Sequence, residues 1–352
     1  MEKCMEKCME KSTANVSVLP VRSNESHLRD TVLKTVQTSI NRLVRFSLLC
    51  LTISAFSASA LASIQITDDS GKEITLPNIA QKIISLAPHI TELLYESGAG
   101  DQVIGVVKYS DYPEAAKTKT NVGSYNNINI EKIIALQPDL IVAYSGGNPP
   151  MQLKQLEDLG IPVYHSNPET IPDIIQNIRN LGLMTGHSKA ANQHADQLQR
   201  HYQTLAETYA HLEPVSIFIQ IWHEPLLTVD NGHIIGEVVE LCGGKNVFPS
   251  MVSRFANVSL ESVIAQNPQS IMLRGGHGTA KPVDVSAAGW SSLQASQNQQ
   301  IITIDEDLLY RASGRLIAGT EDLCKKLDNV RRFYVANKAN EFFSSQPTPL
   351  TP

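Results

Sequence analysis

The sequence predicts an α/β fold: two Rossmann-like lobes, each built on a central parallel sheet, joined by a single long rigid helix. Three observations predict it. The segment Asn129-Ile-Glu-Lys-Ile-Ile-Ala-Leu-Gln-Pro-Asp-Leu-Ile-Val142 is echoed about 130 positions later by Ser259-Leu-Glu-Ser-Val-Ile-Ala-Gln-Asn-Pro-Gln-Ser-Ile-Met272. Each copy reads as a polar cap, a Glu two residues on, an apolar helical face, a Pro and a short hydrophobic strand. Each strand runs into a glycine pair, Gly146-Gly147 or Gly275-Gly276. Second, short apolar runs alternate with helical patterns on both sides of the chain's middle, the rhythm of parallel βαβ units. Third, Ala191, Ala195, Leu198, Tyr202, Leu205, Tyr209 and Leu212 recur at alternating steps of four and three, one continuous apolar stripe on a helix.

In chain order, residues 1–40 open with the low-complexity repeat Met-Glu-Lys-Cys and show no periodicity, which suits an unstructured extension or an over-extended gene start. Residues 41–62 carry Arg42 and Arg45, an apolar run from Phe46, and Ala60-Leu61-Ala62. Basic flank, short apolar core and small-residue end describe a secretory signal cleaved before Ser63. The run is too short for a span, which needs roughly 20 apolar residues. About 290 residues then remain, enough for two lobes of ordinary size. The expected division is an N-terminal lobe over 63–186, a connecting helix over 187–213, a C-terminal lobe over 214–335 and a flexible tail over 336–352.

Ile64 to Pro77 alternates apolar and polar around Asp69-Ser70-Gly71-Lys72, a hairpin signal. Ile83 to Leu86 reads as a strand, Pro88 to Thr91 as a turn and Glu92 to Ser97 as a helix stopped by Gly98. Val103 to Val107 is the next strand. The stretch from Thr91 to Val103 has its own echo in Gly236 to Val247, so the second half repeats two blocks in the same order. Between the halves, Lys189 to His211 would span roughly 35 Å at 1.5 Å per residue, with Ser188 as its cap and Pro214 beyond its end. Such a strut lets two lobes rock slightly and no more.

The full chain of 352 residues carries a net charge of −6, which argues against a nucleic-acid binder. Five cysteines reduce to Cys242 and Cys324 after cleavage. In an oxidising compartment a lone pair reads as one disulfide; two buried thiols are the alternative. The sequence has no GxSxG, HExxH, phosphate-cradling glycine loop or paired-Cys metal motif. His89, His165, His223, His233 and His277 come from scattered segments, so surface or cleft-wall positions are their plainer reading and a metal site the alternative.

The aromatics are more telling. Tyr109, Tyr112, Tyr125, Tyr144, Trp222, Phe255 and Tyr310 fall at strand ends or in the loops after them, where open α/β sheets hold their ligands. Flat rings with polar tips suit a large, mostly uncharged, amphipathic molecule; packing of the lobe cores is the alternative for any one of them. Arg274 and Arg311 are the candidate cations in these loops, too few for a polyanion. Glu131 and Glu261 take the same place in the first turn of the two repeated helices. Favouring the helix dipole explains them locally; a pair of acidic pegs gripping a two-fold partner is the functional alternative.

With these residues in place, the chain from 64 to 332 resembles the class III periplasmic binding proteins of ABC importers. Within that family the likeness is nearest to members that carry cobalamin. The matches are Tyr109-Ser-Asp-Tyr-Pro113, Asn129-Ile-Glu131 through Leu140, Gly146-Gly147-Asn148, Cys242-Gly-Gly-Lys-Asn-Val-Phe248 and Arg311-Ala-Ser313. The resemblance implies a monomeric delivery protein of the periplasm, neither an enzyme nor a holder of a cofactor, with a corrinoid as transported ligand and an inner-membrane permease and ATPase as partner. It implies that Tyr109, Tyr125, Tyr144, Phe255, Asp307 and Arg311 line the cleft, with Trp222 adjacent. Glu131 and Glu261 would dock on the permease, and Cys242 and Cys324 would form the family's disulfide. The chain departs from the family's cobalamin carriers in having Tyr125, Tyr144 and Phe255 where they show Trp, and Ile221 where they show Phe. The same fold with haem or a ferric siderophore is the alternative guest, and a metal-ion receptor using His89 a further one.

Overall fold

The computed structural model describes residues 63–275, 287 and 289–344. The expected extension and signal, Gly276 and His277 lie outside the described residues. A small antiparallel hairpin comes first, β1 (Ile64–Thr67) with β2 (Glu73–Leu76), turned at Asp68–Gly71 as its alternation predicts. Asp68 Oδ1 accepts from the backbone N–H of both Ser70 and Lys72 and so closes that turn.

The first lobe follows with β3 (Ile83–Ser85), α1 (Pro88–Glu96), β4 (Val103–Val106), β5 (Thr120–Asn121), β6 (Gly123–Ser124), β7 (Asn127–Ile128), α2 (Ile130–Leu136), β8 (Leu140–Tyr144), α3 (Pro150–Asp158), β9 (Val163–Ser166) and α4 (Ile171–Met184). Its main sheet runs β5-β4-β3-β8-β9, all parallel. The second lobe holds β10 (Val215–Ile219), β11 (Trp222–His223), β12 (Leu226–Val229), α6 (Ile234–Leu241), β13 (Gly244–Asn246), β14 (Phe255–Asn257), α7 (Leu260–Gln266), β15 (Ser270–Gly275), α8 (Gln294–Gln297), β16 (Ile301–Asp305), α9 (Glu306–Leu309) and α10 (Arg315–Ser344), with α5 (Ser188–Tyr209) leading into it. Its parallel sheet runs β13-β10-β15-β16. The shared order is β4-β3-β8-β9 in one lobe and β13-β10-β15-β16 in the other, so the sequence repeat is a repeat of topology.

The local chemistry of the repeat is duplicated as well. Asn129 caps α2 by accepting from Lys132 N at 2.9 Å, and Ser259 caps α7 by accepting from Ser262 N at 3.2 Å. Each helix ends on a residue in the left-handed region, Gln137 at φ 51° and Asn267 at φ 42°, followed by the Pro that forbids another turn. The strands then plunge into the core: Leu140 to Ala143 and Ser270 to Met272 have no solvent exposure. Buried on both sheet faces, they read as continuous apolar runs and lack the alternation of β1 and β2.

Three expectations at helix ends need correction. The turn expected at Pro88–Thr91 is the first turn of α1, because Pro88 occupies a position whose N–H has no helical partner and its fixed φ suits the helix. Ser188 is the first residue of α5 and not its cap; the turn at Gly186, φ 80°, delivers His187 in the capping place. The expected tail starts instead as the last turns of α10, since no Gly or Pro interrupts Val335 to Phe343. The apolar stripe of α5 is as expected: Ala191 and Ala195 are fully buried, and α5 packs on α4 of the first lobe and on α6 and α10 of the second.

A second junction lies where α10 begins. Glu92, on α1, has no solvent exposure, and its carboxylate accepts from Arg311 Nη1 at 2.9 Å, Arg315 Nη1 at 3.2 Å and Ser313 Oγ at 2.5 Å. One turn on, Glu96 Oε2 accepts from Gly314 N at 2.9 Å. Asp111 takes a further hydrogen bond from Arg311 at 2.7 Å, and Arg315 stacks on the Tyr112 ring at 3.9 Å. First-lobe carboxylates thus grip the second lobe's last helix. Within the second lobe, Cys242 and Cys324 form a disulfide that ties the end of α6 to α10.

Two outcomes are expected. Replacing Cys242 and Cys324 together by Ser should lower the free energy of unfolding in urea by about 2–4 kcal/mol, because the bridge closes a long loop in the unfolded chain. Burial pushes the Glu96 carboxyl up to about 7, with the nearby Glu92 charge adding to the rise against the steadying Gly314 N–H. A carboxyl raised on folding stabilises below its unfolded value and loses that contribution as pH climbs through the folded one. The free energy of unfolding in urea should therefore fall between about pH 5 and 7, by up to about 3 kcal/mol from this group, and Glu96→Gln should flatten that profile.

Candidate functional site: the interlobe cleft

In each sheet the strand order reverses beside the first strand, between β3 and β8 in one lobe and between β10 and β15 in the other. Open parallel sheets form a crevice beyond the carboxyl ends of such strands. His89 follows β3 and Tyr144 ends β8, so both sit at the first lobe's reversal point. A cavity of about 320 Å³ opens there between the lobes. The first lobe contributes His89, Tyr144, Asn167 and Glu169; the second contributes His233, Arg254, Phe255, Leu309, Tyr310 and Ala312. The volume is at the small end for ligand pockets.

The glycine pair after β8 explains how Tyr144 reaches the cleft. A Cβ on Gly147 would stand 2.6 Å from the Tyr144 ring and 3.3 Å from the Tyr125 ring, and one on Gly146 would stand 2.7 Å from Tyr144. Only glycine lets the ring fold back over its own loop. Asn148 then stitches the loops: its Nδ2 donates to Leu86 O at 2.9 Å and Tyr125 O at 2.7 Å, while its Oδ1 accepts from Tyr144 N at 2.7 Å. Burial raises the Tyr144 phenol above its ordinary range, and nearby Tyr125 adds to the rise.

Two histidines set the electrostatics. His89 packs edge-on against Tyr144 at 4.9 Å, and its Nε2 is buried with no hydrogen-bond partner among the described residues. Burial, then repulsion by Arg311, lowers its pKa to about 4. His233 packs edge-on against Phe255 at 4.6 Å and accepts from Ile235 N through Nδ1 at 3.1 Å. Burial, then Arg254, lowers it to about 4 too. With Nδ1 accepting, the neutral ring carries its proton on Nε2. Above about pH 5 both walls are therefore uncharged imidazole and aromatic surface. Among the described residues the cleft's formal charges are then Glu169 and Arg254, paired lobe to lobe at 2.8 Å.

Of the residues expected to line the cleft, Tyr144 and Phe255 line the cavity, and Tyr125 lies against the same glycine loop. Tyr109 stands on a rim loop, 74% exposed with φ 67°. Trp222 is turned to its own hairpin, its Nε1 donating to Glu224 O at 2.9 Å, and Arg274 stacks over it at 5.5 Å. Arg274 also pairs with Glu306. Asp307 and Arg311 bind each other at 2.9 Å, and Arg311 is otherwise held by Glu92 and Asp111. The expected ligand-contacting guanidinium is thus a lobe-joining one. Glu131 and Glu261 are exposed in the first turns of α2 and α7. Among the described residues no three His, Cys, Asp or Glu gather as a metal site.

Sequence reasoning passed over Glu92, Arg315, Glu169 and Arg254. The spacing of Arg311 and Arg315, one helical turn apart beyond a strand end, was the available signal for the junction. For Glu169 and Arg254 there was none, since each reads as an ordinary loop charge.

Comparison with known proteins agrees with this geometry. The sequence model of the family described as periplasmic binding protein matches residues 83–308. The vitamin B12-binding proteins of Yersinia pestis (strain Pestoides F) and Yersinia pseudotuberculosis (serotype O:1b, strain IP 31758) are 39% identical over 258 residues, covering 73% of this chain and 90% of theirs. The crystal structure of the periplasmic vitamin B12 binding protein BtuF of Vibrio cholerae superposes with a TM-score of 0.65 at 35% identity, over 72% of this chain and 98% of that one. The periplasmic heme-binding protein RhuT of Roseiflexus sp. RS-1 shares the fold, with a TM-score of 0.63 at 21% identity, covering 71% and 99%. Twin parallel sheets, a long bridging helix and these relatives together make this chain a member of the periplasmic binding protein family, a class III, non-catalytic substrate-binding protein of the periplasm.

Proposed function

We propose that the protein captures cobalamin or a related corrinoid in the interlobe cleft and delivers it, unaltered, to an inner-membrane ABC importer. The observation that carries this reading is a cleft walled by Tyr144, Tyr310, Phe255 and two neutral imidazoles, in a chain 39% identical to vitamin B12-binding proteins. A corrinoid is a broad ring fringed with neutral amides, so aromatic area and uncharged donors suit it better than a cluster of cations. A ring of that size overflows the cavity, and in this reading its outer parts rest on the exposed residues Tyr109, Tyr125 and Trp222. Asp307 and Arg311 act beneath the guest, holding the lobes at the width it needs.

Glu131 and Glu261 are the docking pegs in this reading. Their support is equivalence: one exposed carboxylate per lobe, at the same position of a repeated helix. Arginines on a two-fold permease would meet them as ion pairs. One observation favours a second guest. His89 beside Tyr144 in the cleft is the pair of side chains that an iron porphyrin would use, and a Soret shift on mixing with haem would identify it.

Titration calorimetry against cyanocobalamin tests the main reading directly. Replacing Tyr125 and Tyr144 together by Ala should weaken binding by more than about tenfold, since stacked aromatic contacts are each worth about 1 kcal/mol or more; an unchanged affinity would move the guest elsewhere. Reversing charge at both Glu131 and Glu261 should abolish stimulation of the importer's ATPase in proteoliposomes and leave the titration unchanged. Loss of ligand binding in that variant would place the docking face wrongly.

A further inference from the structure

We infer that Arg254 reads an anionic group on the bound guest, a phosphodiester such as the one in the nucleotide loop of a complete corrinoid, by exchanging Glu169 for it. The inference rests on the corrinoid reading above and adds to it a charge-recognising subsite.

The cations near the cleft differ sharply in their freedom. Arg311 is held by Glu92, Asp111 and Asp307. Arg315 is held by Glu92 and the Tyr112 ring, and Arg274 by Glu306 between Trp222 and Tyr310. Arg254 has a single carboxylate partner among the described residues, Glu169 at 2.8 Å, and both side chains are 49% exposed. It is also the one cation lining the cavity among the described residues. An ion pair this open to water contributes little to stability, so its partner can be exchanged.

The neighbours hold Arg254 ready for that exchange. Its carbonyl accepts from Asp230 N at 3.2 Å, which fixes the backbone just before Phe255. Glu169 is likewise seated by its own N–H, which donates to Asp173 Oδ2 at 3.1 Å. The two charges therefore meet across the cleft from anchored loops of opposite lobes. A guest entering the cleft separates them, leaving a guanidinium fork next to an aromatic wall. That fork matches two oxygens of a phosphodiester in a way a lone ammonium does not. Glu169 acts as the placeholder that the guest's anion displaces.

The test compares two corrinoids on the purified protein. Cyanocobalamin carries the phosphodiester; dicyanocobinamide has the same ring and lacks it. The wild type should prefer cyanocobalamin, and added salt should erode that preference. Arg254→Gln should lose about tenfold on cyanocobalamin, as expected for a charge-assisted pair, and change within about twofold on cobinamide. Arg254→Lys, which keeps charge but not the fork, should fall between. Glu169→Gln should bind cyanocobalamin more tightly at low salt. Equal losses on both corrinoids, or none on either, overturn the role of Arg254 alone. A wild type that binds neither corrinoid overturns the corrinoid reading, and this assignment with it.

Discussion

Glu92 sits on the first helix of the first lobe with no exposure to water, and its partners all come from the second lobe. Taking a carboxylate out of water costs several kcal/mol unless charge and hydrogen bonds replace the lost hydration. Arg311, Arg315 and Ser313 supply that replacement. Removing either side strands an unpaired buried charge, so the lobes cannot drift apart here without a large penalty. The junction also orients what surrounds it. Arg311 reaches on to Asp111 and Arg315 to Tyr112, so the rim loop bearing Tyr109 takes its position from the opposite lobe.

Two long helices share the work of joining the lobes. α5 buries a continuous apolar stripe against helices of both lobes, with the part-exposed pairs Asp196–Arg179 and His201–Glu321 along its flanks. α10 starts at the buried carboxylates and is held to α6 by the disulfide. One junction is set mainly by buried area and the other by buried electrostatics. Together they leave the opposite edge of the cleft, where Glu169 and Arg254 meet, as the place where separation costs least. A fixed hinge side and a weakly closed mouth suit lobes that rock slightly about a stiff strut.

The cleft's polarity follows from the same geometry. Burial keeps His89 and His233 neutral, and the nearby charges of Arg311 and Arg254 add to that effect. Burial between the lobes thus removes charge from the walls. The result suits an amide-fringed guest, while the pair at the mouth remains for a single anion.

Much of this was legible in the sequence because periodicity and capping are local. The repeated cap–helix–Pro–strand blocks specify βαβ units wherever they fall, and the α5 stripe specifies a strut. The glycine pair after Val142 marked where the backbone had to stay bare, and the aromatics at strand ends lay where parallel sheets place ligands. By itself the sequence determined two alike lobes, one bridging helix, an exported disulfide pair and an aromatic cleft. Only the tertiary structure decided which charges are tied up in ion pairs and which stay open to water. Arg311 and Arg254 look alike in a string of letters, but pairing depends on side chains some 80 to 220 positions apart. Folding brings three carboxylates to Arg311 and one exposed carboxylate to Arg254, and that difference in partners separates a bolt from a reader.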